Sequence, residues 1–192
     1  MKIGVSIKHV EVLSQGWVKL RRYTLDYRRR DGRTVTLTRE VHDHGHGAAV
    51  LPYDSVRGTV LLARQFRLPA ALHDGTGDLI EVCAGLLENE APEACILREA
   101  REELGFRLHN LRQVAACHTT PGAVTEHLTM FLADYGASDR VAAGGGSPGE
   151  GEDIEILELP FAAALQLMAA GQIRDAKTIM LILFLERELR RG

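Results

Sequence analysis

An α+β fold with a mixed sheet is what this sequence predicts. Two hairpin signals in the first half, helical periodicity in the middle and at the end, and an irregular interleaving of strands with helices carry that prediction. The first hairpin is "WVKLRRYTLDYRRRDGRTVTLTREV", two strand-like runs joined by Asp31-Gly32, a dipeptide suited to a tight turn. "GAAVLPYD" and "GTVLLARQFR" form a second pair, and "LIEVCAG" reads as one short strand ending at Gly85. Helical spacing follows, with Pro92 suited to a first turn and Gly105 to a helix end. "RQVAACH", "TTPGAV" and "EHLTMFLADY" read as strand, turn and strand. The Gly-rich acidic segment Ala142 to Asp153 reads as a mobile loop, "IEILELP" as a last strand, and "FAAALQLMAAG" and "AKTIMLILFLEREL" as closing helices.

A chain of 192 residues suits a domain with its own core. The net charge of −3, without a basic run, argues against nucleic acid as a partner. No apolar run approaches the ~18 residues of a membrane span, and "MKIGVSIKHVEVL" is too polar for a signal peptide. Cys83, Cys95 and Cys117 lack metal-ligand spacing and sit among apolar neighbours, as buried thiols in a reducing cytoplasm would.

The run "REAREELG" concentrates Glu99, Glu102 and Glu103 within one predicted helix. At ~100° per residue, Leu97, Ala100 and Leu104 form an apolar stripe and the three glutamates fall together on roughly the opposite side. Like charges three and four positions apart repel. Arg98 and Arg101 would soften that repulsion on a solvated face. A divalent cation would instead turn it into a binding site, since Mg²⁺ takes hard carboxylate oxygens together with substrate phosphate.

The longer run "AGLLENEAPEACILREAREELGF" resembles the Nudix box, the loop-helix signature of hydrolases that cleave a nucleoside diphosphate linked to another group. Glu90 and "REAREELGF" follow the pattern. At the front, Ala84 occupies the pattern's glycine position and Gly85 stands one residue later. "DGRTVTLTREV", "LLARQFR", "TPGAVTE", "EDIEILELPF" and "GQIRDAKTIMLILFL" fall in the order of the GDP-mannose hydrolase branch, where the short loop is normal. The resemblance spans nearly the whole chain. It implies an α/β/α sandwich around a mixed sheet, with an N-terminal β-hairpin extension over residues 1–45 and a Nudix hydrolase domain over 46–192. It also implies a homodimer that exchanges the extension between subunits.

The resemblance further implies Mg²⁺, or Mn²⁺ in its place, held by Glu99, Glu103, Glu152 and the backbone carbonyl of Ala84. Glu102 takes an auxiliary or water-orienting role, and Arg98 with Glu90 holds the loop. Glu152 is the catalytic position in the distant acidic loop, with Glu150 in reserve and Asp153 and Glu155 beside them. Arg67, at a strand end, has a planar fork suited to phosphate, although a surface arginine capping a strand reads the same way. Lys177 sits at a helix start, where a cation is unfavourable unless an anion lies nearby. Trp17, the single tryptophan, suits base stacking, a core or an interface. Glu126 follows a tight turn and either contacts sugar or guanine or begins a strand. Thr38, Arg39, Glu40, Gly85, Leu86 and Gly151 complete the implied substrate contacts. His42, His44 and His46 alternate, as zinc ligands on a strand would, yet no fourth ligand accompanies them.

The expected activity is hydrolysis of GDP-mannose to GMP and mannose 1-phosphate. ADP-ribose or another nucleotide sugar is the alternative substrate, and a nucleotide-sensing module without turnover is the alternative of another class.

Overall fold

Strand β1 (Val5–Gln15) pairs antiparallel with β2 (Lys19–Arg28), which pairs antiparallel with β3 (Thr34–Asp43). The structure, a computed structural model, describes residues 4–147, 149 and 151–191. Its chain divides into two units, Met1–His46 with Cys117–His127, and Gly47–Ala116 with Leu128–Gly192.

The first unit carries the three-stranded sheet. Asp31-Gly32 turns β2 into β3, Arg33 N donates to Asp31 Oδ1 (3.0 Å), and Gly32 takes φ +86°. The sequence reading contains no strand before Trp17. The reason is visible in the register, which shifts between Ile7 and His9 and again between Val12 and Ser14. Each bulge adds a residue and breaks the two-residue alternation by which a strand is recognised.

The second unit is built on β4 (Gly47–Asp54), buried along nearly its whole length. A strand covered on both faces reads as continuous apolar sequence, as "GAAVLPYD" does. The sheet order is β10 (Glu155–Pro160), β5 (Thr59–Phe66), β4, β9 (His127–Asp134), β8 (His109–His118). The β4–β9 pair is parallel and the β4–β5 pair antiparallel, so the sheet is mixed. "LIEVCAG" is two strands, not one. β6 (Asp78–Glu81) pairs β5 and β7 (Cys83–Leu86) pairs β4, with the break at Val82.

Helix α1 (Leu68–Asp74) was not evident in the sequence because seven residues are too few for helical periodicity to show. Helix α2 (Pro92–Glu99) starts at proline and continues as a π-turn, Ala100–Leu104, that ends at Gly105 with φ +77°. Cys95, Ile96, Ala100 and Leu104 pack on Val50, Leu61, Cys83 and Phe131, all of them buried. Helices α3 (Phe161–Ala169) and α4 (Ala176–Leu189) complete the chain, α4 with Asp175 as a side-chain N-cap on Thr178 N (3.0 Å).

Candidate active site

The carboxylates of "REAREELG" part company in the structure. Glu103 is 2% exposed, whereas Glu102 points outward. The grouping on the wheel is loose: consecutive residues stand ~100° apart, and Glu103 lies on the side nearer Ala100. The π-turn closes from Gly105 N and Phe106 N back to Ala100 O, widening the helix within this run. Glu103 therefore lies inward beside β7.

Arg98 gathers the rest. It donates from Nη2 to Glu90 Oε1 (2.7 Å) and from Nη1 to Glu102 Oε2 (2.9 Å), and pairs with Glu99 Oε1 at 3.0 Å. The loop before the helix and two of its acids are thus tied to one guanidinium. Gly85 on β7 lies directly under Glu99, and a Cβ there would overlap the Glu99 carboxyl. That close approach explains why a glycine stands at 85 although the pattern places it at 84.

Burial pushes the Glu103 carboxyl up to about 7, and the charges of Glu99 and Glu152 add to the rise against hydrogen bonds from the Cys83 thiol and the Ala84 backbone. Burial also raises Glu99, with Arg98 opposing and the charges of Glu102 and Glu152 assisting. The three acids Glu99, Glu103 and Glu152 act on one another electrostatically. Glu103 Oε2 is buried without a hydrogen-bond partner. A buried oxygen left unsatisfied is unfavourable unless a ligand completes it. A hard divalent cation meets that need, and the all-oxygen donors around it suit one. Among the described residues, no three His, Cys, Asp or Glu side chains are gathered tightly enough to grip an ion together. Glu152 instead accepts from Ser147 N (2.8 Å) within its own loop.

The Gly-rich segment that brings Glu152 here is pinned rather than loose over its described first half. Gly145 N donates to Glu103 O (2.8 Å), Gly146 N to Glu102 O (3.1 Å), and Val141 N and Ala142 N to Gly105 O. These bonds satisfy carbonyls that a helix end leaves open. Gly146, at φ +80°, leaves room for Glu152 Oε2, which a Cβ would meet at 2.5 Å. Gly151 is exposed, and Glu150 lies outside the described residues.

Arg67 and Lys177 converge on a residue that sequence reasoning missed. Glu81, buried at the end of β6, accepts from Arg67 Nε (2.9 Å) and Nη2 (2.8 Å), Gln65 Nε2 (3.0 Å) and Lys177 Nζ (3.3 Å). Burial disfavours the Arg67 charge, but Glu81 outweighs it and the guanidinium's affinity for its proton rises, with Glu103 contributing. A single acid within the apolar "LIEVCAG" was the available signal, because a buried charge needs a partner.

Trp17, Thr38, Arg39, Glu40 and Glu126 belong to the first unit. Trp17 is exposed and its ring lies parallel to that of His44, with centroids 6.0 Å apart. Glu126 Oε1 is 4.0 Å from His44 Nε2, and Thr119 Oγ1 donates to Glu126 Oε2 at 2.5 Å. His44, considered in the sequence only as a metal ligand, therefore neighbours both Trp17 and Glu126. On β3, Glu40 accepts from Arg22, and Arg39 Nη1 donates to Thr38 O (2.8 Å). Leu86 lies on β7 with Ala84 and Gly85.

Comparison with known proteins places these features in a wider group. Residues 43–181 match the NUDIX domain, and residues 4–42 match the GDP-mannose pyrophosphatase NudK N-terminal domain. The chain is similar to a GDP-mannose pyrophosphatase of Salmonella arizonae, 43% identical over 186 residues, covering 96% of each chain. Proteins of that name from Salmonella paratyphi B and Escherichia coli O1:K1 are 45% and 44% identical, each over 92% of both chains. A crystal structure of an ADP compounds hydrolase has the same fold, with TM-score 0.74 at 15% identity, covering 97% of this chain and 94% of that one. With a matched domain over most of its length and relatives above two-fifths identity across nearly all of it, the chain belongs to the Nudix family.

Proposed function

We propose that the protein hydrolyses the pyrophosphate bond of a nucleotide sugar, and that the sugar nucleotide is GDP-mannose. The observation that carries the reading is the buried, unpartnered Glu103 Oε2 within reach of the charges of Glu99 and Glu152. The names of the relatives support the choice of substrate. The acids of the box are all present, which favours turnover over mere sensing of a nucleotide.

Mg²⁺, or Mn²⁺ in its place, would be held by Glu99, Glu103, Glu152 and the Ala84 carbonyl, and supplies charge neutralisation and a lowered water pKa. The chain's own groups do the remainder. Glu152 takes a proton from the attacking water as its oxygen bonds to phosphorus. The P–O bond of the bridge breaks and the electron pair leaves with the departing phosphate, giving GMP and mannose 1-phosphate. Arg67 and Lys177 bring positive charge to the phosphates, Arg98 holds Glu90, Glu99 and Glu102 in register, and Glu102 balances Arg98. Trp17 stacks on the base, beside Glu126 as an acceptor for guanine N–H groups. Thr38, Arg39, Glu40, Gly85, Leu86 and Gly151 line the remaining contacts.

The protein acts as a homodimer in the cytoplasm, with the N-terminal extension of one subunit serving the partner. Support comes from the first unit, whose three strands contain no buried residue among those described. Val5, Ile7, Val10 and Val12 are all exposed, and the bulge after Ile7 keeps them in phase on one face. No described helix is long and apolar enough to cross a membrane, and the three cysteines are free thiols.

Release of mononucleotide from GDP-mannose, ADP-ribose and UDP-glucose with Mg²⁺ tests the reading. The highest kcat/KM is expected for GDP-mannose. Turnover of none refutes the enzyme, and preference for ADP-ribose refutes only the substrate.

A further inference from the structure

Glu81 is the most heavily coordinated buried acid in the second unit that no role in the reaction yet uses. It is 3% exposed and lies where three elements meet: Gln65 and Arg67 at the end of β5, its own strand β6, and Lys177 in the first turn of α4. Oε2 takes Gln65 Nε2 and both Nε and Nη2 of Arg67, while Oε1 takes Lys177 Nζ. The helix start is held to the same place by a second stitch, Val82 N donating to Thr178 Oγ1 at 2.8 Å. Thr178 is itself fixed by Asp175, and Lys177 Nζ also reaches Asp175 Oδ1 at 3.1 Å.

We infer that Glu81 is a positioning residue that holds Arg67 and Lys177 as a preorganised clamp for the substrate's phosphates. The inference rests on the reading of the protein as a pyrophosphate hydrolase. Long cationic side chains lose rotamer freedom when they bind an anion, and that loss weakens binding. A buried carboxylate that already fixes both cations removes most of it. Arg67 commits one edge of its fork to Glu81, and its outer Nη1 makes no hydrogen bond among the described residues. Lys177 has three donors, of which Glu81 and Asp175 take two. Each cation therefore keeps a donor for an incoming phosphate while its position is set from behind. Asp175 and Glu81 together match the two positive charges, so the clamp is anchored without unpaired buried charge.

The test is binding of inorganic pyrophosphate to the full-length protein by isothermal titration calorimetry in Mg²⁺-free buffer, with steady-state kinetics on GDP-mannose alongside. Loss of a charged hydrogen-bond anchor is expected to raise the pyrophosphate Kd of Glu81→Gln by about tenfold or more. KM should rise by a larger factor than kcat falls. In an Arg67→Met/Lys177→Met background the same substitution should change Kd by no more than about threefold, because both groups it acts through are gone. Glu81→Asp keeps the charge but withdraws it by one methylene, and is expected to weaken pyrophosphate binding while retaining the wild-type melting temperature. An unchanged Kd in both variants overturns the inference. So does an equal loss with and without the two cations, which marks a purely structural role. Pyrophosphate binding that depends on Glu81 in a protein that turns over no nucleotide sugar supports the clamp and refutes the proposed function.

Discussion

A carboxyl group with 2% of its surface exposed, one oxygen unpartnered and two acids nearby holds its proton far longer than one in water. Glu103 titrates near 7, against an ordinary 4.5, because of burial first and the neighbouring charges second. Between those values the folded chain binds more protons than the unfolded one, so metal-free stability falls as pH rises through the window. The lost stability amounts to about 3 kcal/mol at most. Glu103→Gln should flatten that profile, leaving the variant more stable than wild type at pH 8 in urea denaturation. It should also lower turnover by about two orders of magnitude or more. A variant that unfolds as it loses activity would mark Glu103 as structural. Gly85 offers a companion test. Gly85→Ala pushes a methyl group into the Glu99 carboxyl. Affinity for Mn²⁺ by electron paramagnetic resonance should fall about ten- to a hundredfold, with the metal-free melting temperature within about 3 °C of wild type. Unchanged affinity would remove Glu99 from the ligand set.

At the scale of elements, the π-turn and the loop after the single 3₁₀ turn Ala137–Asp139 are one device. The helix end presents open carbonyls, and the glycine segment closes them. Gly105 is the latch between the two: its φ is +77°, and a Cβ would meet Ala142 O at 2.5 Å. Gly105→Ala should destabilise the protein by about 1–3 kcal/mol and speed hydrogen exchange at Val141, Ala142, Gly145 and Gly146. Unaltered exchange at those amides would show that the loop is held by other means. Most elements were legible in the sequence, because β2 through β5, α2 and the closing helices each carry their own periodicity or turn chemistry. β1 was hidden by its bulges, α1 by its length of seven residues, and the Val82 break by a run that is apolar on both sides of it. The spacing of Glu90, Arg98, Glu99 and Glu103 was legible for a related reason: it is local. Glu81 was not, since its partners lie 14 and 96 residues away and meet only through the fold. Glu102 and Glu103 stand ~100° apart on the wheel, with Glu103 nearer the apolar stripe, but its depth of burial beside β7 is set by the fold.

For the whole molecule the outstanding quantity is the number of chains. A sheet of three strands without a covered face is marginal in water, and the first unit's described strands have none that is buried. Light scattering should report twice the chain mass at micromolar concentration, and dilution should lower specific activity as dimers separate. A fully active monomer would refute both the dimer and the service of the N-terminal extension to a partner's site. Substituting Ile7 and Val12 by lysine together should shift the equilibrium toward monomer without altering the melting of the second unit.

The two register shifts in β1 carry a consequence for behaviour at high concentration. β1 is an outer strand, and its unpaired edge would otherwise be a straight template for another chain. Irregularities at Ile7/His9 and Val12/Ser14 interrupt the even row of donors and acceptors that a docking strand needs. Strand addition is thereby discouraged while the valines remain available to a flat neighbour. In the proposed dimer, association through that face would close on itself after two copies, whereas association through the edge would continue without limit. The same irregularities that conceal the strand from a reader of the sequence thus help to keep the folded chain out of fibres.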